Sequence, residues 1–520
     1  MKRLPLFFFT AVWALLAFAS FSSLQAQSFR ASRTPLEVTL SGLPNVTKVT
    51  RLESTEFTEK YEIFVRQQIN PDEIRFGFFE QRVFLMHVGA DRPTVLVTEG
   101  YGADYAARPR YREELSRLFN ANLIVVEHRF FSQSIPQPRR WQFLTGEIAM
   151  QDIHNVRELF RPIYQGKWIA TGISKGGQTA LMYRTLFPDD VDITVSYVGP
   201  LCRGVEDGRH EPFLKNEVGT PADRERILAF QKELLIRKDS LMVPFTKFCE
   251  EGKMKFTLPL RDVFDYCVLE YPFAFWQWGT PIERIPDVNA ADSVLLAHFL
   301  QVSSPDYFLR YTPNIAFFVQ AARQLGYYGY DMSPFKFKVT RTKFIEDGAL
   351  KKKLEANKIA RREAKEKKKL AKDLGPEGVA GAVATTAAVT KITKDATADA
   401  KSITDTAAVT GKWVTRKFPA MEIKSPKGYL KRIFLPDFFR PTFNNKLYKR
   451  QLEFVKTTDA HLVFIYGEWD PWSAAAVPNP HRDNVIYCVQ PKGSHASRIG
   501  SLPEDMRANL MKQLETWLAE

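Results

Sequence analysis

Short apolar runs bounded by turn residues recur toward both ends of the chain, and they set the first structural expectation. Tyr61, Ile63 and Val65, then Phe76 and Phe78, alternate with other positions on either side of Asn70-Pro71-Asp72, which predicts antiparallel strands between about Glu62 and Met86. Compact runs follow at Thr94 to Thr98, Leu123 to Val126, Trp168 to Thr171, Ile193 to Tyr197, Leu462 to Tyr466 and Val485 to Val489. Runs of this length, rich in Val and Ile, suit strands covered on both faces, as in a mostly parallel sheet. Helical spacing lies between several of them, at Tyr111 to Phe119 and Gly176 to Phe187. Strand and helix in alternation predict an α/β core.

The alternation stops after Pro200 and resumes near His461. The block between, about 201–455, carries Phe, Tyr and Trp at helical spacing, as in Arg224 to Arg237 and Ser293 to Val302. A segment that leaves a sheet and later returns to it is expected to sit on one face as a lid or cap, here mainly helical. Four parts follow: an N-terminal leader at 1–26, core at 27–200, cap at 201–455 and core again at 456–520. Inside the cap, Leu350 to Asp373 repeats Lys, Ala and Glu with almost no apolar face, and Gly375 to Gly411 is mostly Ala, Thr, Val and Gly. The first reads as a solvated helix and the second as a flexible linker. A basic segment docking on cell wall or anionic lipid is the sharper alternative, but it lacks the apolar face such helices use.

Composition changes this picture little. With 520 residues, 45% of them hydrophobic, and 40 Phe, 18 Tyr and 9 Trp, the chain has ample material for a packed core, so a disordered chain is excluded. Of the net charge of +14, +7 lies between Lys351 and Asp373, where nine Lys and two Arg face three Glu and one Asp, and +2 comes from Lys2 and Arg3. The remaining +5 is too thinly spread for a nucleic-acid partner. Lys2 and Arg3 precede an apolar run from Leu4 to about Phe21, with Ala26 before Gln27 at a cleavage-compatible position. The run is shorter than a membrane span prefers and no second one follows, so an exported protein without lasting membrane insertion is expected, periplasmic or extracellular. Export permits pairing of Cys202, Cys249, Cys267 and Cys488; Cys249 with Cys267 is the favoured pair, against buried free thiols. Oligomeric state is not legible.

The chemistry concentrates in three loops. Gly172-Ile173-Ser174-Lys175-Gly176 follows one strand and opens one helix, the context in which a Gly-x-Ser-x-Gly turn lifts its serine above a sheet. A serine hydroxyl needs a base and a group to orient that base. Asp470, in Gly467-Glu468-Trp469-Asp470-Pro471-Trp472, and His495, in Gly493-Ser494-His495-Ala496, each follow a late strand in the order such a triad requires. Against this, Asp470 could simply cap a turn and His495 could be an ordinary loop histidine. An oxyanion would need the amide of Lys175 and a second donor, Gly100 or Tyr101, from the loop Thr98 to Gly102. Glu127-His128-Arg129 reads as loop-fixing ion pairs. No metal-ligand spacing or phosphate loop is seen, so no cofactor is expected.

Glu127-His128-Arg129-Phe130-Phe131 with Ser134 and Pro136, the elbow continued to Gly177, the Asp470-Pro471-Trp472 turn and the Gly493-Ser494-His495 loop together resemble the bacterial prolyl tri- and tetrapeptidyl aminopeptidases, relatives of lysosomal prolyl carboxypeptidase. The resemblance runs from about Thr94 to the C-terminus, Ser497-Arg498-Ile499 included. It implies an α/β-hydrolase core with a helical cap, and a serine peptidase cutting peptides after proline with Ser174 as nucleophile, Asp470 as orienting acid and His495 as base. The insertion at about 350–411 departs from the family pattern and leaves cap shape open. Glu270, Phe273, Phe275, Trp276 and Trp278 in the cap, with Trp472, are the candidate substrate-binding residues: aromatic faces hold a proline ring by packing, and Glu270 could hold a free ammonium. The alternative for the cap aromatics is burial in the cap's own core. A lipase-like acyl hydrolase on the same triad and an inactive surface-binding protein are the competing readings of the whole chain.

Overall fold

The computed structural model describes residues 33–346, 411–437 and 439–520. The leader at 1–26 and the Lys-rich and Ala/Thr-rich segment lie outside the described residues. Eleven strands are described: β1 (Val46–Arg51), β2 (Glu59–Gln68), β3 (Phe78–His87), β4 (Thr94–Val97), β5 (Asn122–Val126), β6 (Trp168–Ile173), β7 (Ile193–Tyr197), β8 (Lys338–Glu346), β9 (Gly411–Pro419), β10 (His461–Gly467) and β11 (Val485–Gln490). Nine of them form one sheet in the order β1-β2-β3-β5-β4-β6-β7-β10-β11. β1, β2, β3 and β5 pair antiparallel, and from β5 to β11 all pairs are parallel. This is the α/β core expected from the apolar runs, in the α/β-hydrolase arrangement that the resemblance implies.

Period-two alternation sends the side chains of each central strand to both faces. In β4, Val95 and Val97 join one apolar cluster with Val463, Ile465 and the C-terminal helix residues Leu510, Leu514 and Trp517. Leu96 joins the opposite cluster, where Met150, Ile153 and Val156 of the helix Gly146–Phe160 pack with Tyr183 of the helix Lys175–Leu186. Both faces are therefore covered, which is why these strands are mostly apolar and the polar residues among them, such as Thr94, Thr171 and Ser196, are buried.

The cap leaves the sheet after β7 and has its own apolar core. Its helices include Pro221–Ile236, Lys238–Glu251, Leu260–Gln277 and Asp292–Val302. Pro272 inside the third of these has no N–H, so the carbonyl of Val268, four residues back, loses its helical donor. Gln231 Nε2, from the first, donates to that carbonyl at 2.6 Å and ties the two helices together.

Three features differ from the reading of the sequence. β8 and β9 pair from Lys338↔Pro419 to Glu346↔Gly411, so the chain leaves toward the insertion and returns from it on one antiparallel ribbon. The helix Lys446–Thr457 already belongs to the core, because Leu447 packs beside Met182 against Gly146, about ten residues before the expected return. All four cysteines are buried free thiols, Cys249 and Cys267 among them, packed as small apolar side chains in the cap core, so the favoured disulfide is not formed. No helix among the described residues is long and apolar enough to cross a membrane.

Candidate active site

β6 ends at Ile173 and the helix Lys175–Leu186 begins two residues later, so Ser174 must reverse the chain in one step. It does so at φ 58°, ψ −122°, a strained conformation for a side-chain-bearing residue. Gly172 makes this possible, since a Cβ there would fall 2.3 Å from the carbonyl atoms of Gly176. The Ser174 amide donates to Tyr197 O at 2.8 Å, locking the turn to β7.

His495 and Asp470 come together from the loops after β11 and β10. His495 Nδ1 and Asp470 Oδ2 are 2.7 Å apart, with Asp470 fully buried. The other carboxylate oxygen of Asp470 accepts the Trp472 amide at 3.1 Å, so this residue caps its turn and holds the imidazole at once. The two loops are tied by Trp469 N to Gly493 O at 2.8 Å, an approach so close that a Cβ at Gly467 would lie 2.5 Å from Gly493 O. His495 N donates to Gln277 O at 3.0 Å and anchors the same loop to the cap. Nε2 of His495 is buried and has no hydrogen-bond partner among the described residues. Ser174 and His495 line one cavity of about 770 Å³, a size that suits a short peptide. The hydroxyl is not yet hydrogen-bonded to Nε2, as is common before substrate closes such a site.

The expected oxyanion elements meet beside Ser174. The Lys175 amide opens a helix and so has no partner within it. The amides of Gly100 and Tyr101 face the Glu99 carboxyl, which also accepts the Tyr105 hydroxyl. Desolvation holds Glu99 above the usual carboxylate range.

Of the six candidate substrate-binding residues, three line this cavity: Glu270, Trp278 and Trp472. Glu270 is 6% exposed and accepts the Tyr328 hydroxyl at 2.9 Å and the Tyr330 hydroxyl at 2.6 Å. Burial pushes its carboxyl up to about 7, the two hydroxyls pulling the other way. Trp278 is 67% exposed, its ring 6.2 Å from that of His495. Trp472 is buried, with Nε1 unpartnered among the described residues. The other three do not line it. Phe275 is wholly buried against Tyr271 and Trp276. Phe273 stacks on Tyr328 with ring centroids 3.8 Å apart, and with Trp276 it faces a second cavity of about 440 Å³ on another side of the helix. Tyr307, Phe317 and Tyr327 line the cavity of Ser174 and His495 from later cap segments. The sequence reading missed them, for they show only as three more aromatics in an aromatic-rich block.

Glu127 and Arg129 are loop fasteners, as their position suggested. Glu127 is fully buried and accepts from Arg82, from the amides of Ala103, Gln133 and Ser134 at 2.9–3.1 Å, and from Ser134 Oγ at 2.8 Å. Arg129 pairs with Asp152 at 2.5 and 2.8 Å. Away from the cavity, His154, Glu158 and Asp190 bring ligand-type atoms within 4.8 Å of one another. Their polar atoms already serve each other and their neighbours: His154 bonds Asp190, which takes the Tyr183 hydroxyl, and Arg157 pairs with Glu158.

A prolyl tri/tetrapeptidyl aminopeptidase from Streptomyces mobaraensis is 34% identical over 260 residues, 48% of this chain and 53% of that protein, so the chain spans about half the length of the relative it matches. Among solved structures, a proline iminopeptidase-related protein from Thermus thermophilus is 11% identical at a TM-score of 0.31, covering 88% of this chain and 99% of that one. A proline iminopeptidase from Mycobacterium smegmatis is 12% identical at 0.31, with the same coverage. Likenesses this weak add nothing to the fold described above. The PS-10 peptidase S37 family matches over residues 40–342, from ahead of β1 through the elbow and most of the cap, and the chain belongs to that family.

Proposed function

We propose that the protein is a serine exopeptidase that releases short peptides from amino termini by cutting after proline. The observation that carries the reading is the His495–Asp470 pair at 2.7 Å, its free Nε2 sharing one cavity with Ser174. Asp470 fixes the imidazole tautomer by accepting from Nδ1, which leaves Nε2 as the base. Nε2 takes the Ser174 proton as Oγ attacks the carbonyl carbon of the scissile bond. The Lys175 amide and the Gly100–Tyr101 segment are the donors proposed for the resulting oxyanion. As the C–N bond breaks, His495 returns the proton to the departing amine. Water then repeats both transfers and frees the acid.

Glu270 supports an amino-terminal exopeptidase. A buried carboxylate at the cap end of the same cavity is matched by a substrate ammonium, and the aromatic walls accept a proline ring without stranding a backbone donor. The Streptomyces relative bears the name of such an enzyme. Location outside the cytoplasm accompanies this reading and is tested by the N-terminus of protein recovered from cells, expected at Gln27. Function is tested with paired peptides, Ala-Ala-Pro-X-containing and free or acetylated at the amino terminus. The expected result is release of the proline-ended fragment from the free peptides at least tenfold faster. Equal rates on both members would remove the amino-terminal assignment, and turnover of simple esters alone would move the protein to the lipase-like class.

A further inference from the structure

We propose that the side chain of Lys175, as well as its amide, helps build the oxyanion site, as a positioning residue that fixes the Gly100–Tyr101 peptide. The inference rests on the hydrolase reading above.

Lys175 follows the nucleophile directly, yet its side chain does not reach solvent; the residue is 2% exposed. It turns back across the loop after β4, where Nζ donates to Gly100 O. The rings of Tyr101 and Phe131 flank the ammonium, with centroids 5.5 and 5.4 Å away. Gly100 is shaped to this arrangement: a Cβ there would lie 2.6 Å from Lys175 Cγ and 2.9 Å from its Cβ.

A trans peptide is planar, so its carbonyl and the following N–H point to opposite sides. Holding Gly100 O against Nζ therefore turns the Tyr101 N–H the other way. On that side stands the Glu99 carboxyl, which lines the catalytic cavity with Ser174. That carboxyl meets the Gly100 and Tyr101 amides from the far side of the peptide, while the other ties on this loop act elsewhere: Thr98 N on Thr171 O at 2.9 Å, His128 N on Tyr101 O at 3.1 Å, and Ala103 N on Glu127 at 2.9 Å. Lys175 is thus the fastener on the one carbonyl whose direction sets the Tyr101 donor. Burying an ammonium is costly, and an apolar chain of similar length would fill the space without that cost. Desolvation pushes Lys175 down to about 7, with Glu99 pulling it back up.

Two variants, Lys175→Met and Lys175→Gln, test this in the full chain with a proline-ended peptide substrate and a proline boronate, whose tetrahedral adduct places an oxygen in the oxyanion site. Methionine removes the donor, and kcat is expected to fall about 100-fold with KM within threefold, since a misplaced oxyanion donor is felt mainly in the transition state. Boronate affinity is expected to fall by the same factor. Glutamine keeps a shorter donor and is expected to lose about tenfold in both. The melting temperature of the Met variant should equal or exceed that of the parent, which a merely structural lysine would not allow. Parental kcat in the Met variant, or lost kcat with parental boronate affinity, overturns the inference. Should Met prevent folding, parental kcat and boronate affinity in the Gln variant overturn it equally. Labelling of the unaltered protein by a fluorophosphonate separates the two readings: without it the hydrolase assignment fails, and with it only Lys175 is in question.

Discussion

The catalytic end of the core and the wall of the cap face the same cavity, but they are built by opposite rules. In the core, each residue of the proposed triad stands just past the C-terminal end of a strand: Ser174 after β6, Asp470 after β10, His495 after β11. The strands are close-packed on both faces, so a residue's place along the chain dictates its place in space. In the cap, the cavity wall is shared among side chains from separated segments, Glu270, Tyr307, Phe317 and Tyr328, and neighbours in sequence point to different surroundings. Glu270 and Trp278 meet the cavity while Phe275 and Trp276, between them, do not. On the proposed function, the core encodes chemistry by position, and the cap encodes recognition by packing. Substitutions should accordingly change rate in the first and substrate choice or folding in the second.

The largest effect belongs to the core. Ser174→Ala should reduce kcat by about 10⁶-fold with the melting temperature unchanged or raised, since the serine side chain makes no hydrogen bond to the helix it opens or to other described residues. Asp470→Asn should cost about 10⁴-fold in kcat, because the amide can hold the imidazole in the wrong tautomer; steady-state kinetics on a proline-ended peptide measures both. In the cap, Glu270→Gln should raise KM about 30-fold or more for peptides with a free amino terminus and leave acetylated ones unchanged, which is what losing one partner of a buried charge pair is worth. A pH titration sharpens the same point. Burial holds Glu270 at about 7, so its carboxyl is neutral below that value and charged above it. KM for free-amine peptides should fall as pH rises from 6 to 7.5, and this limb should be absent in the Gln variant. The smallest effect on rate is expected at Phe275. Removing this fully buried ring should cost about 3–5 kcal/mol of stability by denaturant unfolding, with kcat per folded molecule near parental, whereas Trp278→Ala, largely exposed, should shift stability by about 0.5 kcal/mol or less.

What could be read beforehand follows from the same contrast. The runs at Thr94, Trp168 and Leu462 read as strands buried on both sides and are so, while the run at Val485, read the same way, is the edge strand β11 and only partly buried, with Val489 exposed; the elbow glycines report the close approach that the turn demands. Both readings are local. The helix Leu260–Gln277 is different: buried without interruption from Val263 to Tyr271 and again from Phe273 to Trp276, it has no polar stripe to tell a cavity-facing side from a core-facing one. The ribbon of β8 and β9 was missed because its pairing spans the insertion, and Arg341, a charged residue in an apparently exposed alternation, is in fact buried against the carbonyls of Leu235, Pro419 and Ala420. Such contacts are non-local and leave no periodic trace. Asp470 shows that a bland and a sharp reading can both hold, one carboxylate oxygen capping the turn and the other holding the histidine.

The most direct test of the account is covalent: react the protein with a fluorophosphonate and map the adduct by peptide mass spectrometry. A single adduct on Ser174, slowed by Asp470→Asn and abolished by Ser174→Ala, is the predicted outcome. A protein that cleaves peptides yet carries no adduct at Ser174 would contradict it.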